Sequence, residues 1–408
     1  MGKKIAIVTS TLRAGGAERN SINLALYLPK STYSTDILSI LSINEYRKEY
    51  GKILQNIRIR YLLDDKRLSL SLPRLFLLPF AFIKLLLTSQ KNKYSLLIAA
   101  HEYNTFYITV FAAKLLRIKS LLVLGNNIPA NFASKSILTR TFHKLFLRIS
   151  LLLCDKVVCV SKGIYDQMEY DFPFLKNKIE LIYNGTHIIE IKKTSPQKTH
   201  AKNASKSLIA VGRLIKRKGF EHVIRVVKYL NEKERLDLHL IIVGKGDQAE
   251  ELVHLSENLS IQNNISMVGM GGDKLLDYLG SADIFVFPSH YEGFGNTIIE
   301  AMSCKLPVIS ADCMFGPREI LDDNSSYEKI IRRMHKAKYG ILTPRLSDMN
   351  LEYGRLNASE KEMAQAIKEM VTNKNIYEYY RKKSFERAKY FSLKKMVDRY
   401  DSVINKML

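Results

Sequence analysis

Two carboxylates, Glu292 and Glu300, stand with seven residues between them in Ser289-His290-Tyr291-Glu292-Gly293-Phe294-Gly295-Asn296-Thr297-Ile298-Ile299-Glu300. A Gly-rich turn holds the first, and the helix that follows carries the second. Backbone N–H groups at the helix start, at Asn296 and Thr297, form an anion site. Carboxylates accept paired hydrogen bonds from vicinal hydroxyls, so the segment suits a phosphorylated, polyhydroxylated ligand such as a sugar nucleotide. Arg213 and Lys218 add two cations in Val211-Gly212-Arg213-Leu214 and Lys216-Arg217-Lys218-Gly219, between a strand and a helix. Two cations there suit a diphosphate, although a solvated basic loop has the same composition. Gly15 and Gly16, in Arg13-Ala14-Gly15-Gly16-Ala17-Glu18-Arg19, follow the first strand. They let backbone N–H groups approach an anion, or else form a tight strand-to-helix turn; the pattern is neither GxGxxG nor a Walker loop.

The elements that must position these groups follow a βαβα alternation that occurs twice. Short apolar runs predict buried parallel strands over 4–9, 35–42, 95–100, 120–124, 156–161 and 179–183, then over 207–211, 238–243, 265–268, 283–288 and 307–311. Helical patterns fill the gaps, and the last 50 residues, from Ser359, are helical and charged. The fold class expected is α/β, with two facing doubly wound domains and ligands beyond the strand ends in the cleft between them. The predicted boundaries are 1–186, a polar Lys-rich linker over 187–206, a second domain over 207–385, and a C-terminal helix over 386–408 that crosses back to the first.

Composition narrows the classes. With 46% hydrophobic and 25% charged residues in 408, the chain has material for sizeable cores and is not disordered. Cys154, Cys159, Cys304 and Cys313 show no CxxC spacing, which suggests a reducing compartment. There is no Asp-x-Asp triplet and no His/Cys cluster in the sequence, so neither a metal nor a cofactor is expected. Met1-Gly2-Lys3-Lys4 runs into an apolar stretch too short for a signal core, which predicts a cytoplasmic chain. The net charge is +23, and residues 1–186 carry 27 basic against 12 acidic side chains. A basic surface attracts nucleic acid, anionic membrane or phosphorylated ligands. No helix-turn-helix, zinc finger or aromatic RNA-binding signature accompanies it, so no nucleic acid is expected. Gly244-Lys245-Gly246-Asp247-Gln248-Ala249 matches a dinucleotide fingerprint, but the next strand ends Val268-Gly269-Met270 without the acidic residue that a nicotinamide cofactor needs.

Leu68 to Thr88 is unusually apolar but is interrupted by Pro73, Arg74, Pro79 and Lys84. A membrane span needs about 20 mainly apolar residues. An interfacial helix and a buried helix of the first domain are the two readings left.

In this order, Gly15-Gly16-Ala17-Glu18-Arg19, Val160-Ser161-Lys162-Gly163, Asn184-Gly185, Gly212-Arg213 with Lys218-Gly219, Val243-Gly244-Lys245-Gly246, Pro288-Ser289 and the Glu292/Glu300 pair resemble glycosyltransferase family 4 over essentially the whole chain. The resemblance implies the GT-B fold, two facing Rossmann-like domains, and a retaining, metal-independent transfer from a nucleotide-diphosphate sugar, expected to be UDP-linked. By that resemblance Arg213 and Lys218 would bind the donor pyrophosphate, Glu300 the ribose hydroxyls and Glu292 the sugar hydroxyls. Gly15, Gly16, Asn296 and Thr297 would close on the phosphates, and Met270 would lie near the base. Many relatives carry a histidine after the strand 120–124; here Gly125-Asn126-Asn127 stands there, leaving Asn127 and His101 as the candidate polar groups of catalysis. The expected partners are a glycan or glycolipid acceptor, lipid-linked or a surface-polysaccharide precursor, and an anionic membrane at the cytoplasmic face. A soluble acceptor and a non-catalytic sugar-binding protein are the alternatives.

Overall fold

The computed structural model describes residues 2–13, 15–44, 54–63, 77–100, 103–126, 137–188, 206–269, 275–323, 330–347 and 355–408. The chain forms two units, Met1–Asn184 together with Leu393–Leu408, and Gly185–Ser392.

In the first unit, seven parallel strands take the order β3-β2-β1-β4-β5-β6-β7. They are β1 (Lys3–Thr9), β2 (Tyr33–Ser39), β3 (Arg58–Tyr61), β4 (Leu96–Ala99), β5 (Lys119–Leu124), β6 (Lys156–Cys159) and β7 (Ile179–Leu181). The pleat sends alternate residues to opposite faces. Ile5 and Ile7 of β1 join one core with α1 (Gly16–Tyr27), while Ala6 and Val8 join another with α2 (Leu78–Asn92) and α3 (Asn104–Leu116). The next helices are α4 (Ile137–Leu153) and α5 (Lys162–Asp171). The sequence pattern missed β3, because Arg58-Ile59-Arg60-Tyr61 carries the charges of an edge strand and pairs only with β2. The helix that closes this unit starts at Leu393, so residues 386–392 remain with the second unit.

The second unit repeats the plan. Its strands are β8 (Lys206–Val211), β9 (Leu238–Val243), β10 (Ile265–Val268), β11 (Ile284–Phe287), β12 (Val308–Ala311), β13 (His335–Lys336) and β14 (Ile341–Thr343), in the order β10-β9-β8-β11-β12-β14-β13. All pair in parallel except β13 with β14. Its helices are α6 (Phe220–Lys233), α7 (Ala249–Asn258), α8 (Leu275–Ser281), α9 (Asn296–Ser303), α10 (Pro317–Leu321), α11 (Ala358–Thr372) and α12 (Lys374–Ala388). The repeat extends to side chains. Asp155 Oδ2 accepts from Ser120 N at 2.9 Å and Ser120 Oγ at 3.1 Å; Asp283 Oδ2 accepts from Ser207 N and Oγ at the same distances. In both units a carboxylate at the start of one strand thus ties down the start of its neighbour.

Candidate active site

β8 lies inside its sheet, with β9 and β10 on one side and β11, β12, β14 and β13 on the other. The strand order reverses between β8 and β11, and ligands of open α/β sheets bind beyond the strand ends at such a point. The loops that leave these two strands are the two segments singled out in the sequence. After β8 come Gly212 and an exposed Arg213, then a short 3₁₀ turn over Lys216–Lys218 and Gly219 at φ 63° before α6. After β11 the chain runs from Ser289 to Gly295, at φ 99°, and into α9. Gly219 is required twice over. Its φ is left-handed, and a Cβ there would stand 2.5 Å from Pro288 O. That close approach lets the two loops meet, and His290 N donates to Arg217 O at 2.9 Å.

The meeting brings Lys218 and Glu292 together. The Lys218 ammonium pairs with Glu292 Oε1, and the two side chains are only 13% and 11% exposed. Burial pushes the Glu292 carboxyl up. The charge and hydrogen bond of Lys218, the charge of Arg217 and the Ser289 hydroxyl outweigh it and hold the group below its ordinary 4.5. Glu292 is therefore not an exposed loop tip but an ionised acceptor fixed beside a cation. The Lys218 ammonium also stands 5.4 Å from the Phe287 ring centre, and the Arg217 guanidinium 4.9 Å from that of Tyr291. Such a pair offers a cation to phosphate oxygens and a carboxylate to hydroxyls side by side.

Glu300 is buried in the second turn of α9. The neighbouring Cys304 thiol is pushed up to about 11, by burial first, with the Glu300 charge adding and the Ser303 hydroxyl opposing. Asn296 and Thr297 form the first turn of α9, where backbone N–H groups have no acceptor inside the helix. In the first unit, Gly15 and Gly16 follow β1, beside the reversal between β1 and β4. Gly15 is extended at φ −160°, a conformation open to any residue, so its value is space, not backbone freedom. His101, Asn127 and Met270 lie outside the described residues.

The fold also explains the dinucleotide-like glycines. A Cβ on Gly244 would lie 1.9 Å from Gly212 O, and one on Gly246 2.2 Å from Leu214 O. They are glycine because the β8 loop packs backbone to backbone on them. The sequence reading missed a different gathering, in which Glu221, His222 and His290 come together at the start of α6. Glu221 and His222 are adjacent, but His290 belongs to another strand's loop, so no spacing rule could have found the set.

The description "Glycosyltransferase Family 4" matches residues 14–188, and "Glycosyl transferases group 1" matches residues 191–331. An uncharacterised glycosyltransferase of Methanocaldococcus jannaschii is 34% identical over 246 residues, 58% of this chain and 60% of that protein's length. The N-acetylgalactosamine-N,N'-diacetylbacillosaminyl-diphospho-undecaprenol 4-alpha-N-acetylgalactosaminyltransferase of Campylobacter jejuni is 24% identical over 95% of this chain and 96% of its own. Anabaena HepE, solved in complex with UDP, superposes with a TM-score of 0.74 at 17% identity, over 99% of this chain and 100% of that one. Each half of the chain thus matches a glycosyltransferase description, on a fold shared with the GT-B glycosyltransferases.

Proposed function

We propose that the protein is a retaining transferase that moves a hexose or N-acetylhexosamine from a UDP-sugar to a lipid-linked or surface-polysaccharide acceptor at the cytoplasmic face of the membrane. The observation that carries the donor half is the buried Lys218–Glu292 pair at the sheet's reversal point. Arg213 and Lys218 meet the diphosphate, Glu300 accepts from the ribose diol, and Glu292, held ionised, accepts from the sugar. Cations and the start of α9 stabilise the departing diphosphate, so the reaction needs neither Mg²⁺ nor Mn²⁺. The bond from the anomeric carbon to the β-phosphate breaks, and one to the acceptor hydroxyl forms on the same face. UDP stands in the HepE structure, and a diphospho-undecaprenol glycan in the name of the Campylobacter relative; both support the direction of this reading.

The membrane half rests on α2, α3 and α4. None of these helices contains Asp or Glu, and α3 packs on both of the others. Phe80, Ile83 and Leu87 of α2 are exposed beside Lys84, and Phe142 and Leu145 of α4 beside Lys144 and Arg148. No helix among the described residues is long and apolar enough to cross a membrane. Exposed apolar groups set among cations, with no acid between them, fit the interface of an anionic bilayer, where each Lys or Arg adds about 1 kcal/mol.

A panel of nucleotide sugars with short-chain diphosphate-lipid glycans tests the whole reading. One UDP-sugar should yield product of unchanged anomeric configuration by NMR, at a rate unaffected by added Mg²⁺ or Mn²⁺. An inverted product, or turnover only with the added ion, overturns it.

A further inference from the structure

We propose that Glu221, His222 and His290 form a site for a zinc-class divalent ion, which ties the start of α6 to the loop after β11. One ligand-capable atom from each residue lies within 4.8 Å of the other two. An ion with bonds of about 2 Å holds its ligand atoms roughly 3–4 Å apart, so small side-chain rotations complete the set. Oε2 of Glu221, Nε2 of His222 and Nε2 of His290 are all shielded from solvent.

The two imidazoles are already oriented as ligands. His222 turns Nδ1 to Glu360 Oε1 at 2.9 Å, and His290 turns Nδ1 to Leu346 O at 3.4 Å. A carbonyl only accepts, so His290 carries its proton on Nδ1 in that contact. Glu360 is itself fixed: Arg225 Nε donates to it at 2.9 Å and Asn357 N at 2.8 Å. Held in this way, Glu360 presents Oε1 to the His222 ring. An acceptor behind each ring leaves Nε2 as the metal-facing nitrogen, the outer-shell arrangement of histidine metal sites. The rings stand 5.3 Å apart at 66°. A Cβ on Gly219 would lie 3.3 Å from both His222 Cδ2 and His290 Nε2, so the glycine leaves those ring edges clear.

Two imidazoles and one carboxylate select zinc over magnesium or calcium, which take oxygen ligands. Three protein ligands leave one tetrahedral position open. None of the three ligands is a group assigned to the diphosphate or the sugar, so the ion braces the two loops and is not the Lewis acid of the transfer. The site stands on its own geometry; only the bracing role rests on the donor-pocket reading.

The experiment is titration of the chelator-stripped full chain with Zn²⁺ alone, without nucleotide, by calorimetry and thermal unfolding. One equivalent should bind and raise the unfolding midpoint. His290→Gln and Glu221→Gln, both at half-buried positions, should each weaken binding at least about tenfold. Failure to take up zinc overturns the site, as does undiminished uptake in the double variant. X-ray absorption of the Co²⁺-loaded wild type provides a reading that needs no variant, and sulfur ligands there would also overturn it. Uptake without a rise in midpoint overturns the brace. UDP titration of the zinc-free protein tests the donor pocket separately.

Discussion

Lys218 and Glu292 show what a sequence motif hides at the level of single side chains. Each was expected to face a ligand; in the fold each also faces the other. Removing one partner of a buried pair leaves the other charge uncompensated and costs about 3–5 kcal/mol, so Lys218→Met should be strongly destabilised near neutral pH. The pH dependence has a fixed sign. The folded Glu292 carboxyl is held below its ordinary 4.5, so its contribution is complete above that value and is lost as the pH falls through the lower folded one. The deficit of Lys218→Met should therefore shrink on acidification, as read from urea midpoints between neutral and acid pH. A deficit that stays constant means the pair is not the cause. Arg213→Ala and Glu300→Gln belong to the same scale. Each should weaken UDP binding by about 1.5–3 kcal/mol, the worth of a charge-assisted hydrogen bond, and calorimetry with unchanged affinity in both would remove the pocket assignment.

Among the elements, α2 bears on the choice that the sequence left open between a buried and an interfacial helix. Residues 64–76 lie outside the described part, but from Leu77 onward the helix has one buried face and one exposed apolar face. Ala81, Leu85 and Ser89, four apart, are buried against the sheet, while Phe80, Ile83 and Leu87 are exposed. The two faces should respond differently to substitution. Phe80→Ser, Ile83→Ser and Leu87→Ser together should leave the protein folded and release it from anionic vesicles in cosedimentation. Leu85→Ala should instead cost about 2–5 kcal/mol of stability, as a cavity in a packed core does. A triple variant that still sediments with vesicles would eliminate this face as the anchor.

At the scale of the whole molecule, the last helix, α13 (Leu393–Met407), belongs to the unit formed by the start of the chain. Leu393, Met396, Val397, Tyr400, Val403 and Ile404 enter the core of β1 and α1, at the three-and-four spacing of one helix face. Tyr33 Oη donates toward Asp401 Oδ1 and Asn405 Oδ1 at 2.8 and 2.7 Å. Ending the chain before Leu393 should therefore destabilise the first unit selectively. Hydrogen exchange should rise in β1 and β2 and stay unchanged in β8 and β11; uniform exchange across both units would refute the separation.

The sequence by itself determined the α/β class, most strands and helices, and the two loops that carry Arg213, Lys218, Glu292 and Glu300. Those features are local: buried strands are short apolar runs, and turns and helix starts are set by glycines and periodicity within a few residues. It did not reveal β3, β13 or β14, because edge and very short strands bury too little apolar surface to leave a pattern. Nor could it show that Gly244 and Gly246 serve backbone packing, since the same spacing in another fold cradles a dinucleotide. Only the tertiary structure decided that Lys218 neutralises Glu292 across 74 positions of chain, and that His290 meets Glu221 and His222. The reason is geometric. Parallel strands adjacent in a sheet are distant in sequence, so the loops at their ends meet only once the sheet has ordered them, and the partners that set charge and protonation come from those meetings.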